Sequence, residues 1–180
     1  MYSARIIFNT EDWKKPSGSD RKSRDKNAFV NFSGFSLEEW FFDEQFTING
    51  HKYAYLEGIA NSPEKRLEPK KLVLFTIDGQ SKLRYKIAEI SHWNYLSPEE
   101  SKTIANQYRE AGHIKAMRAQ VVEIGADTVM FDKIANGESA TPLFNIHFEL
   151  KNLNVYAVPI ALKEEHPLSQ MNNYVLYEGK

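Results

Sequence analysis

Apolar positions along the chain change their spacing several times, and each change predicts an element boundary. Tyr2 to Phe8 reads as a first strand of β-branched and aromatic residues, closed by the polar pair Asn9-Thr10. Residues 13 to 27, WKKPSGSDRKSRDKN, have no apolar period and predict a long, mobile basic loop outside the core. Ala28 to Phe32 can pair as a strand. Ser36-Leu37-Glu38-Glu39 is a capping box and predicts a short helix through Phe42. Phe46 to Ile48 and Lys52 to Ile59 flank Asn49-Gly50, which tolerates positive φ at both turn positions and predicts a hairpin. Leu72 to Ile77 is a compact apolar strand, and Asp78-Gly79 turns it into a second hairpin with Lys82 to Ile90.

Ser97-Pro98-Glu99-Glu100 combines an N-cap, a first-turn proline and a capping glutamate, so a helix should run to about Ala111 and stop at Gly112. Ile114, Met117, Val121 and Ile124 continue helical spacing up to Gly125, although Val121-Val122 also suits a strand. Leu143 to Leu150, Val155 to Leu162 around Pro159, and Tyr174 to Tyr177 predict the remaining strands. Strands cluster and helices stand apart. The expected fold is therefore α+β: a curved, mixed, mainly antiparallel sheet or small β-barrel with two or three helices, in one domain over residues 1–180.

Composition narrows the functions. The net charge is −1, so a nucleic-acid role would need a local patch rather than an overall basic surface. Candidate phosphate contacts are Lys14, Lys15, Arg21, Lys22 and Arg24 in the basic loop, with Lys65, Arg66, Lys70 and Lys71. The chain has no cysteine, which excludes disulfides and thiolate chemistry and suits a reducing cytoplasm. It begins with no signal-peptide pattern and contains no run of about 20 apolar residues, so no membrane partner is expected.

There is no P-loop, dinucleotide fingerprint or nucleophile elbow. The five histidines show no i,i+3 or i,i+4 pair, so a helical metal site is unsupported. Glu38, Glu39, Asp43 and Glu44 form an acidic cluster, which a capping role and a helix edge also explain. Asp78 with Lys82 and Lys86 or Glu89 is a faint nuclease pattern, and the turn accounts for Asp78 better. No cofactor is implied and no enzyme is expected. Aromatic residues make up 13 % of the chain, and Trp40, Phe41, Tyr53, Tyr55, Trp93 and Tyr95 come from segments that a curled sheet could bring together. Such rings either fill a core or sandwich a planar base.

The run SGFSLEEWFF followed by INGHKYAYLEGI resembles the G-F-x-x-E-E-W pattern and following strand of small domains linked to McrA-like, HNH-type, modification-dependent restriction endonucleases. Arg84-Tyr85-Lys86-Ile87, YLSPEE and Phe144 to Phe148 look similar too, so the resemblance spans residues 29 to 177. It implies a PUA-like, EVE- or YTH-related fold that holds a flipped, modified base in an aromatic pocket. The motif itself falls on Gly34, Phe35, Glu38, Glu39 and Trp40. The expected function is recognition of modified nucleic acid, DNA above all, in a restriction or defence context. Trp40, Tyr53, Tyr55, Trp93 and Tyr95 would form the base pocket. Because the chain carries no HNH module, cleavage would belong to a separate nuclease domain or subunit. The alternative is a protein-interaction module or defence regulator.

Overall fold

The structure, a computed structural model, describes residues 1–20, 22 and 28–179. Strand β1 (Tyr2–Arg5) lies parallel to β4 (Leu72–Ile77) and antiparallel to the last strand, β9 (Leu176–Glu178). On its far side β4 pairs antiparallel with β5 (Arg84–Ile90), and β5 with β8 (Leu153–Ala161). These five strands make one open sheet in the order β8-β5-β4-β1-β9. A second, antiparallel sheet has the order β2-β3-β7-β6 and comprises β2 (Thr47–Ile48), β3 (His51–Ala54), β6 (Asn94–Tyr95) and β7 (Ile146–Glu149). The expectation of one curled or barrel-like sheet thus gives way to two open sheets.

Strand alternation joins them. Ala54, Ile146 and Phe148 of the second sheet share a core with Tyr2, Ala4, Leu72, Leu74, Ala88 and Ile90 of the first. The helices α3 (Pro98–Glu110), α4 (His113–Glu123) and α5 (Thr128–Ala135) bury a separate core with Phe35, Trp40, Tyr53, Tyr55 and Phe144. Helix α5 was not expected; Asp127 caps it by accepting from Met130 N–H at 3.0 Å, and Phe131 and Ile134 are its buried face.

Several boundaries differ from the pattern-based reading. Ala28 to Phe32 is not a strand, because helix α1 (Phe29–Ser33) occupies it. Gly34 ends α1 with φ 79°, and a Cβ there would lie 2.9 Å from Ala126 Cβ, so only glycine fits both the turn and the approach. The hairpin at Asn49-Gly50 forms with φ of 52° and 77°, but β3 stops at Ala54 rather than reaching Ile59. Beyond it, the Asn145 side chain bonds both Leu56 N–H (2.8 Å) and Leu56 C=O (3.0 Å), replacing a strand partner, and α2 (Glu57–Ala60) follows.

In the second hairpin the left-handed residue is Lys82 (φ 65°), while the Asp78 carboxylate accepts from Gln80 N–H and Ser81 O–H. In β8, Tyr156 to Pro159 stand opposite Ile87 alone, a bulge that spares Pro159 a ladder bond it cannot make. The segment from residue 13 is not wholly peripheral either. Trp13 and Lys22 are buried, and Trp13 Nε1–H donates to Ile7 C=O at 2.7 Å. Arg21, Arg24 and the other residues at 23–27 lie outside the described residues. Among the described residues no helix is long and apolar enough to cross a membrane.

Candidate functional site

The five rings expected to hold a base do not line one cavity. Trp40 is buried against Phe35 and Phe131, and its Nε1–H donates to Gln120 Oε1 at 2.6 Å. Tyr53 meets Tyr108 edge-on and stacks on His147. The space left among Trp40, Tyr53 and Tyr55 is about 10 Å³, room for one water at most and none for a base. Trp93 lies in the other core, between the sheets, 2 % exposed, with Nε1–H donating to Lys70 C=O at 2.6 Å. Tyr95 packs on that core under the Arg66 guanidinium, 4.3 Å from its ring centroid. Alternation places Tyr53 and Tyr55 as expected, but the second sheet separates them from Trp93.

The proposed cations are mostly engaged. Lys22 forms a buried ion pair with Glu39, so it is not available to a phosphate. Lys70 pairs with Glu178, Lys71 with Glu89 at 2.6 Å, and Lys65 donates to Leu176 C=O at 2.8 Å. Lys15 lies 3.8 Å from both Glu11 and Glu123, and Lys14 is exposed. The faint nuclease set is dispersed. Glu89 pairs with Lys71 and Lys86, which hold its carboxyl down to about 2, and it sits opposite Val73. Asp78 follows β4 five residues beyond Val73, roughly 17 Å along an extended chain. Among the described residues no three His, Asp or Glu side chains gather as metal ligands. His51 and His147, unpaired in sequence spacing, do meet across strands, with ring centroids 5.8 Å apart. Burial and the neighbouring His51 hold His147 below the usual imidazole range.

A different site emerges on the other side of the motif. A cavity of about 370 Å³ opens between β1, the start of α1, the 3₁₀ turn Leu37–Trp40 and α2. Ile7, Phe29, Val30 and Leu37 form its apolar wall, and Tyr55 and Tyr174 contribute rings. Its charged groups are Arg5, Glu38 and Glu57, and Ser36 and Thr141 also line it.

The capping box decides which glutamate faces it. Glu39 turns back onto Ser36 N–H (2.8 Å) and also accepts from Asn9 Nδ2 (2.8 Å), Ser17 N–H (2.7 Å) and the Lys22 ammonium. Glu38, one position earlier, borders the cavity and is 2 % exposed. Its Oε2 accepts from Ile7 N–H at 2.7 Å and its Oε1 from Glu57 N–H at 2.9 Å. Burial pushes its carboxyl up to about 8, against the pull of those two amides and of Arg5, and the Glu57 carboxylate adds to the rise. Tyr55 O–H donates to Glu57 Oε2 at 2.8 Å; burial, then Glu57, raises the phenol above its ordinary range. The Arg5 guanidinium stacks 4.4 Å over Tyr174 and donates from Nη1 to Asn172 C=O at 2.6 Å. Its Nε–H is buried and finds no acceptor among the described residues.

Of the expected pocket residues only Tyr55 lines this cavity; of the motif residues, only Glu38 does. Arg5, Phe29, Glu57 and Tyr174 escaped sequence reasoning, since they come from four segments far apart in the chain. The one local signal was the doubled glutamate of the capping box, where one carboxylate caps and the other is spare.

The frame and cavity define a two-sheet α+β protein with a cavity lined by rings and carboxyl groups. The chain matches no known family, no curated protein and no solved structure.

Proposed function

We propose that this chain recognises a modified base in nucleic acid, DNA above all, by taking it into the cavity of Arg5, Glu38, Tyr55, Glu57 and Tyr174. The observation that carries the reading is the cavity itself. At about 370 Å³ it lies within the usual range for ligand sites, ~300–1,000 Å³, and it joins flat rings to a few convergent polar groups. That is the mixture a flipped base needs, with a π-face to stack on and partners for its edge. The resemblance of the SGFSLEEWFF run to modification-dependent restriction systems points the same way and puts the protein in a cytoplasmic defence context. Recognition is the role of this chain, without catalysis of its own, and a nuclease would be a separate domain or subunit.

The test is binding to oligonucleotides with and without modified cytosine or adenine, at two salt concentrations. Tyr174→Ala should weaken binding to the modified strand by ~1–3 kcal/mol, the worth of one stacked base, and leave binding to the unmodified strand nearly unchanged. Equal losses on both strands would refute the pocket. One observation favours the alternative, a protein-interaction module: the edge strand β8 exposes Val155, Val158 and Ile160. That reading predicts no oligonucleotide binding at either salt concentration.

A further inference from the structure

One ring stands outside every core and beside the cavity. Among the described residues Phe32 is the one exposed Trp, Tyr or Phe ring, at 58 %, while all the others are buried or partly buried. A phenylalanine left in water forgoes the burial that stabilises the rest. Its place is specific. Helix α1 borders the cavity, and Ala28, Phe29 and Val30 at its start line the wall. Phe32 follows Phe29 by three residues, so it lies on the same helix face, about 4.5 Å further along. The two rings meet edge-on with centroids 5.4 Å apart, and Phe29 is braced in the same way on the buried Phe35 at 5.5 Å.

The helix that carries Phe32 is held firmly. Ser33 Oγ–H donates to Phe29 C=O at 2.6 Å, Asp127 N–H donates to Ser33 C=O at 2.7 Å, and Gly34 closes the helix against Ala126. The helix sequence, Phe-Val-Asn-Phe-Ser, has no charged side chain, so nothing on it repels a phosphate. A base drawn out of a duplex leaves a gap in the stack, and the unstacking and unpairing cost free energy. An apolar side chain that enters the gap restores contact with the neighbouring bases. Such a side chain must be exposed, rigidly mounted and next to the pocket that takes the base. Phe32 combines these properties.

We propose that Phe32 is a wedge that enters the base stack of a DNA duplex where the target base leaves it for the cavity. The inference rests on the base-binding reading above and adds to it that the partner is double-stranded, with α1 laid against the opened step.

The experiment titrates the full chain, Phe32→Ala and Phe32→Trp with DNA duplexes that carry one central 5-methylcytosine or N6-methyladenine. The matching single strands and unmodified copies of each are titrated alongside, and circular dichroism confirms that both variants fold. Phe32→Ala should lose roughly tenfold in affinity for the modified duplex and keep its affinity for the modified single strand, where no gap has to be filled. Phe32→Trp should retain binding to both. An equal loss on duplex and single strand, an unchanged duplex affinity in Phe32→Ala, or a parent chain that binds the modified single strand but not the duplex overturns the wedge and leaves base binding intact. If the parent binds no modified oligonucleotide better than its unmodified copy, the base-binding reading itself fails, and the wedge fails with it.

Discussion

Lys52 is a lysine placed where a leucine would be expected. On β3 it shares the inward face with Ala54 and is 1 % exposed. Its Nζ donates to Asp43 C=O at 2.7 Å and to Phe46 C=O at 3.3 Å. Burial pulls the ammonium down from 10.5 to about 7, and Asp43 pulls it partly back. Between those two values the unfolded chain carries a proton that the folded chain lacks. Stability contributed at this site is therefore fully present above about pH 10.5 and is lost as pH falls towards 7. At about 1.4 kcal/mol per pH unit, the whole displacement is worth about 5 kcal/mol.

Lys52→Met keeps the apolar stem and removes the proton. It leaves Asp43 C=O without this donor, at a cost of ~1–3 kcal/mol, whereas Phe46 C=O keeps Tyr108 O–H at 2.6 Å. The variant should be about 3 kcal/mol more stable than the parent near pH 7, and about 2 kcal/mol less stable above about pH 10.5. Urea unfolding of both proteins across that range measures the difference directly, and every other titrating group cancels in it. Two stability curves that stay parallel from neutral to alkaline pH would refute the buried, weakly basic lysine.

Three further substitutions probe the frame. Glu39→Ala leaves the Lys22 ammonium buried without its partner and frees the donors of Asn9 and Ser17; a loss of ~3–5 kcal/mol in denaturant unfolding is expected. Gly34→Ala meets both a left-handed φ of 79° and Ala126 Cβ at 2.9 Å, so its thermal midpoint should fall by several degrees, about 2–4 °C per kcal/mol. Trp93→Ala removes a core ring, not a base platform; chemical denaturation should show a loss of ~3–5 kcal/mol, and the folded variant should bind modified and unmodified oligonucleotides in the parent's ratio.

Local chemistry was legible wherever a few adjacent residues decide the outcome. Ser36 with Glu39, and Ser97 with Glu100, cap as their spacing requires. Asn49-Gly50 makes its turn, and the apolar run Leu72 to Ile77 is a fully buried strand. Where two local preferences compete, distant residues decided. Ala28 to Phe32 has strand composition, yet α1 forms because Gly34 can close it against Ala126. The strand from Lys52 ends early because Asn145, 89 positions away and just before β7, claims Leu56.

The same division runs through the site. The sequence alone determined that a capping glutamate and a spare one sit side by side, and that rings surround them. Only tertiary structure decided which rings are filled core and which bound a cavity. Two sheets packed face to face put Trp93 on one side and Trp40 on the other. Close packing, set by contacts between distant elements, consumed the space around the expected rings and left it beside Arg5, Glu38 and Tyr174.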